Sequence, residues 1–313
     1  MGNPLYDTLF GQHVSKSDVF LQLKDGETVT YADFLGIAAQ YAGLFGRLGL
    51  SPGDRVAAQI AKSPQALAVY AACAQAGLVF LPLNTAYTAT EMSYFIENSG
   101  ARILLCDQKN TAALGAIAHT CGAALETINE DGSGTFCDKA ETLSKTFKAV
   151  TRSEDDLAAL LYTSGTTGRS KGAMITQANL LSNALALMSE WQFTSQDVLL
   201  HALPIFHTHG LFVASNVALL AGGRMTFLPK FNLDELITHL PSSTVMMGVP
   251  TFYTRLLGDL RFTKELVDHM RLFVSGSAPL LEETHVQFEK RTGHRILERY
   301  GMTETNMNTS NPY

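Results

Sequence analysis

The sequence predicts an α/β protein of layered, parallel-rich sheets covered by helices. Short apolar runs bounded by turn residues alternate with segments of helical period, which is the pattern of repeated strand–helix units. Small or polar residues stand directly after apolar runs at three places, following Tyr162, Ser275 and Tyr300, where such folds place their ligand loops. With 313 residues, 46% of them hydrophobic, the chain is long enough for a large core and more than one substructure.

Taken in order, residues 30–49 read as a helix. Thr30 stands at its N-cap, Phe34, Ile37, Ala38, Tyr41, Leu44, Phe45 and Leu48 recur at helical spacing, and Gly49 ends it. A turn at 51–54 leads to a strand at 55–60, and Ser63-Pro64 opens the next helix. The apolar stretch 65–83 approaches membrane-spanning length, but Gln75 and Gly77 divide it. Its Ala-rich half reads as a buried helix and its β-branched, aromatic half as a buried strand, so no membrane span is expected. A helix at 90–98, closed by Gly100, and a strand at 102–106 follow. Residues 128–156 are the least structured part and are expected to hold a soft subdomain boundary.

Residues 157–161 read as a buried strand and residues from Thr176 as a helix. Between them lies Tyr162-Thr163-Ser164-Gly165-Thr166-Thr167-Gly168-Arg169-Ser170-Lys171-Gly172. A glycine- and hydroxyl-rich loop between strand and helix suits phosphate: glycines let the backbone approach an anion, and N–H and O–H groups donate to it. Where a Walker A loop would carry Gly-Lys after Gly165, this chain has Arg169, Ser170 and Lys171. The spacing therefore disfavours a P-loop NTPase.

Further strands are expected at 198–206, 224–229, 244–249, 271–275 and 295–300, with helices at 211–220, 232–240, 250–260 and 281–291. His207 and His209 follow the first of these strands. A His-x-His pair can ligate zinc, but no third ligand stands at a suitable spacing. The last strand, expected to be apolar, carries Glu298 and Arg299. A buried cation needs an anion. Either Arg299 forms an internal ion pair, with Glu298 or another carboxylate, or it receives a carboxylate of the substrate, for which its planar fork is suited.

Composition narrows the function. The formal net charge is −6 with no basic block, which argues against nucleic-acid binding. The four cysteines, Cys73, Cys106, Cys121 and Cys137, form no Cys-x-x-Cys, so a reducing cytoplasm is the expected setting.

The loop at 162–172 resembles the signature of the adenylate-forming (AMP-binding) superfamily, which includes acyl-CoA synthetases. Leu203-Pro204-Ile205-Phe206-His207 and Tyr300-Gly301-Met302-Thr303-Glu304 resemble further motifs of that family, in the expected order. The resemblance covers essentially the whole chain. It implies the large N-terminal domain of the adenylate-forming fold, incomplete. The family's ribose-binding Asp, hinge and small C-terminal domain with its catalytic lysine would lie beyond Tyr313.

It also implies roles. Thr163, Ser164, Gly165, Thr166, Thr167, Gly168 and Lys171 would close over the ATP phosphates. Ser275, Gly276, Ser277, Ala278 and Pro279 would line the adenine, with Tyr300, Gly301, Met302 and Thr303 beside them. Thr303 and Glu304 would hold Mg²⁺. Lys171, His207 and Glu304 would serve the chemistry. Taken with Arg299, the stretches 203–212 and 298–308 make the whole chain resemble the malonyl-CoA synthetase family, with His207, Ser277, Arg299 and Met302 at the acid. The implied activity joins malonate or methylmalonate to CoA at the expense of ATP, giving AMP and pyrophosphate. Two alternatives stay open at this level: a ligase for a monocarboxylic acid with a structural Arg299, and a nucleotide-binding module without full catalysis.

Overall fold

The computed structural model describes residues 2–163 and 169–313, so the expectations for Ser164, Gly165, Thr166, Thr167 and Gly168 lie outside the described residues. The chain divides into two compact units, Met1–Ser17 with Tyr31–Leu181, and Asp18–Thr30 with Ser182–Tyr313. The stretch 128–156 lies inside the first unit. There the helix Thr135–Glu141 buries Phe136 against the rings of Tyr41 and Phe45.

The first unit holds a six-stranded sheet in the order Ala124–Thr127, Ile103–Cys106, Arg55–Gln59, Val79–Pro82, Leu157–Thr163, Lys171–Thr176. All but the last of these strands run parallel. Val79–Pro82 and Ile103–Cys106 are buried throughout, which is why they read as unbroken apolar runs. The helix Pro64–Ala76 starts on the Ser63 hydroxyl, which accepts from the amide of Ala66, and stops at Gly77, whose φ of 70° is left-handed. The stretch 65–83 is thus a helix and a strand, and no helix among the described residues is long and apolar enough to cross a membrane.

After Leu157–Thr163 the sequence predicts a loop and then a helix. The structure instead inserts the strand Lys171–Thr176, paired antiparallel with Thr163 opposite Lys171 and Tyr162 opposite Gly172. Gly172 leaves room there for Leu160, whose side-chain end would have to shift from a Cβ at 2.9 Å. The segment hides from sequence reading because it is an edge strand whose Met174 is 66% exposed. The helix Gln177–Glu190 then begins with the Thr176 hydroxyl accepting from the amide of Asn179 at 3.2 Å.

The second unit holds an eight-stranded sheet. Its order is Asn306–Ser310, Ile296–Met302, Leu272–Ser275, Val245–Gly248, Val198–His201, Arg224–Phe227, Val19–Gln22, Thr28–Thr30. The interior strands are parallel and both edges are antiparallel. From Val198–His201 the chain goes first to one neighbour, Arg224–Phe227, and then to the other, Val245–Gly248. The order reverses there, and such a switch point opens a crevice beyond the carboxyl ends of the two strands.

The final motif also departs from expectation. The strand runs on to Met302, turns at 303–305 and returns antiparallel as Asn306–Ser310. Thr303 and Glu304 therefore stand in a hairpin turn.

Candidate active site

A cavity of about 440 Å³ opens at this switch point. Leu203, Pro204, His207, Thr208, His209 and Gly210 enter it from the segment after Val198–His201, and Val249 from the end of Val245–Gly248. Ser277 comes from the loop after Leu272–Ser275, and Arg299, Gly301, Met302, Thr303 and Met307 from the terminal hairpin. His207, Ser277, Arg299 and Met302, the residues expected at the acid, all line this one cavity. A second cavity of about 410 Å³ shares Ser277, Arg299 and Gly301 with it and adds Ala278, Pro279, Glu298, Tyr300, Thr309 and Asn311.

Arg299 is 5% exposed, and its Nε and Nη2 are buried without a hydrogen-bond partner. The expected alternative, an ion pair with Glu298, does not form. Successive residues of a strand point to opposite faces. Glu298 accepts instead from the amide of Leu280 at 3.0 Å and lies 3.5 Å from His285 Nε2. Burial lowers the Arg299 pKa to about 10, partly offset by nearby Tyr253, so the guanidinium stays charged at neutral pH. The Tyr253 hydroxyl donates to the carbonyl of Val274 at 2.6 Å.

Beside this cation stands a histidine held neutral. His209 is buried, with Nδ1 3.2 Å from the Ser277 hydroxyl and Nε2 unpartnered. Burial, then the charges of Arg299, His201 and His207, push its pKa well below the usual value. Ser277 holds this contact from a left-handed backbone, φ 72°, which is strained for a residue with a side chain.

The segment His209–Ser215 is a single π-helical turn, a feature common at functional sites. It is pinned from inside: His201 Nε2 and the Ser215 hydroxyl both donate to the carbonyl of Gly210, at 2.8 and 2.9 Å. Gly210 has no room for a side chain, since a Cβ would run into the Pro204 carbonyl. His207 is exposed, while its ring surroundings still lower its pKa by desolvation. The pair thus has one ring turned out and one turned in.

Tyr300 projects outward, 60% exposed, on the wall of the second cavity. Ser275 is fully buried, and Gly276 lies beneath the Arg299 guanidinium. Glu304 is exposed in the hairpin turn, with no hydrogen bond or ion pair to its carboxylate among the described residues. No group of three or more His, Cys, Asp or Glu side chains gathers among the described residues. Mg²⁺ does not need one, because it keeps several waters and takes one or two carboxylates together with phosphate oxygens. An unengaged carboxylate beside a half-buried threonine hydroxyl fits that donor set. Thr163 and Lys171 face each other across the hairpin of the first unit, with Lys171 exposed at its strand's first residue.

Thr208, Val249 and Met307 also line the first cavity, though none of them is expected at the site from the sequence. Met307 reaches it through its pairing with Gly301, which becomes legible once the hairpin is known.

The AMP-binding enzyme family matches residues 11–313. The malonate–CoA ligase of Arabidopsis thaliana is 36% identical over 260 residues, 75% of this chain and 42% of that protein. A mitochondrial malonate–CoA ligase of Mus musculus is 35% identical over 254 residues, 75% of this chain and 43% of that protein. The crystal structure of ATP-bound MatB from Rhodopseudomonas palustris matches with a TM-score of 0.97 at 53% identity, covering 100% of this chain and 62% of that one. The chain thus spans less than half the length of these curated relatives. On the match across residues 11–313 and the shared fold, the chain belongs to the AMP-binding enzyme family.

Proposed function

We propose that this chain carries the acid- and nucleotide-binding residues of an ATP-dependent malonate–CoA ligase acting in the cytoplasm. The observation that carries this reading is Arg299: a buried, charged guanidinium with unpartnered N–H groups on the wall of a cavity. Burying an unpaired charge is costly, so such a site favours a ligand that brings the missing anion. The malonate–CoA ligases among the relatives support the same class of acid.

In the first step a carboxylate oxygen of malonate attacks the α-phosphorus of ATP, and the bond to the bridging oxygen breaks to release pyrophosphate. In the second, the CoA sulfur, having lost its proton, attacks the acyl carbon and AMP leaves. Arg299 holds the distal carboxylate through charge-assisted hydrogen bonds and so fixes which carboxylate reacts. The Ser277 hydroxyl supports the same end, and His207 faces the reacting carboxylate. Tyr300 lies against the adenine, with Ser277, Ala278 and Pro279 along its edge and Gly301, Met302 and Thr303 beside it; Ser275 and Gly276, expected there from the sequence, line neither cavity. Thr163, Lys171 and the loop 164–168 donate to the β- and γ-phosphates. Glu304 and Thr303 would hold Mg²⁺, which when bound would offset the repulsion between carboxylate and phosphates.

The test is Arg299→Met in the full-length protein. Malonate kcat/KM should fall by roughly two orders of magnitude or more, the loss of a buried charged pair of about 3 kcal/mol. The KM for ATP should hardly move, and activity on propionate or butyrate should be retained or rise. Arg299 also borders the second cavity. If malonate use survives while the ATP KM rises, the arginine serves the nucleotide and the diacid reading falls.

A further inference from the structure

Arg299 lies where it does because one neighbour has no side chain. The strands Leu272–Ser275 and Ile296–Met302 are parallel, with Ser275 opposite Glu298, so Gly276 follows in step with Arg299. A Cβ placed on Gly276 would fall on Cζ and Nε of Arg299 and 2.6 Å from Nη1. The guanidinium is folded flat over bare backbone. No torsional reason requires glycine here, since Gly276 is outside the left-handed region. The left-handed residue is the next one, Ser277, at φ 72°.

The order Gly276-Ser277 is therefore the reverse of what torsion alone would select. Glycine stands at an ordinary φ, and a residue with a side chain stands where glycine would be at ease. Each choice has a reason in contacts: space for the guanidinium at the first position, a hydroxyl facing His209 at the second.

We propose that Gly276 determines specificity for the acid, its bare backbone being the seat that holds the Arg299 guanidinium at the depth where a second carboxylate can meet it. This rests on the reading of Arg299 as the diacid's partner. A side chain at 276 lifts the planar group off the backbone into the cavity it lines, where it occupies the space of the distal carboxylate. Gly276 is thus a positioning residue acting through Arg299, and its effect falls on diacids more than on monoacids.

The experiment is a double-mutant cycle in the full-length protein with Gly276→Ala, Arg299→Met and their combination, reading acid-dependent pyrophosphate exchange with malonate and with propionate. Gly276→Ala should lower malonate kcat/KM by about 10- to 100-fold, the range for a lost hydrogen bond to a charged group. The malonate-to-propionate ratio should fall at least about tenfold. In the Arg299→Met background the same glycine change should cost malonate less than about twofold, since the two act as one unit. Equal losses on both acids, or full additivity, would overturn the proposal. If Arg299→Met alone leaves malonate use intact, the diacid reading itself has failed. If Arg299→Met is severe and Gly276→Ala silent, the seat alone is wrong. Should Gly276→Ala not fold, recovery of folded protein in Gly276→Ala with Arg299→Ala supports the collision, and failure to recover refutes it.

Discussion

His209 is buried to 5% exposure beside a cation and two other imidazoles, and it resists taking up a proton. The unfolded ring titrates near about 6.5. The native ring titrates well below that, first through burial and then through Arg299, His201 and His207. Between those two values the unfolded chain binds a proton that the native one refuses. This ring's contribution to stability is therefore full above about 6.5 and declines as pH falls from there to the native value. Titration of labelled histidine by NMR should find His209 neutral well below pH 6.5. Arg299→Met should raise its pKa without restoring the usual value, because burial remains. An unchanged titration would place the guanidinium away from the ring. Arg299 was legible in the sequence as a charge interrupting an apolar strand. The fate of His209 was not. Spacing shows a His-x-His pair, and only the π-helical turn decides which ring faces inward.

Two hairpins stand where the sequence suggests a strand running into a helix or into the end of a motif. Both returning strands are poor in local signal. Asn306–Ser310 is rich in residues that favour turns over strands. It is held from elsewhere: Trp191 Nε1 donates to the Ser310 hydroxyl at 2.9 Å, and Asn183 Nδ2 to the carbonyl of Met307 at 3.0 Å. These tertiary contacts override propensity. Gly301 permits the close pairing, as a Cβ there would strike the Asn306 carbonyl. The consequence is that Thr303 and Glu304 stand at the tip of a paired element, with less freedom than a loop would allow. On the proposed role, Glu304→Gln should raise the Mg²⁺ concentration for half-maximal adenylation by about tenfold or more, through loss of a ligand charge. Because Glu304 is exposed, the unfolding free energy should change by no more than an ordinary surface substitution allows, about 0.5 kcal/mol. Superimposable Mg²⁺ curves for the two proteins would remove Glu304 from the metal.

The alternation of strands and helices made the fold class readable, but not the division into units. The second unit borrows Asp18–Thr30 from a part of the chain that precedes most of the first. No composition shift marks that exchange, because the strand Val19–Gln22 is short and its pairing with Arg224–Phe227 is long-range. Its physical signature is burial: Phe20 and Leu21 are fully buried, and Leu21 stands opposite Met225. Leu21→Ala should therefore cost about 2–5 kcal/mol, as for other fully buried leucines. The loss should be local to one unit. Hydrogen exchange followed by mass spectrometry should show protection falling first in Arg224–Phe227 and Val198–His201, which join Val19–Gln22 in one sheet. Arg55–Gln59 and Ile103–Cys106, in the other sheet, should keep theirs. Faster exchange confined to that second pair would mean that the upstream strand stabilises the first unit, and that the division between the units runs elsewhere.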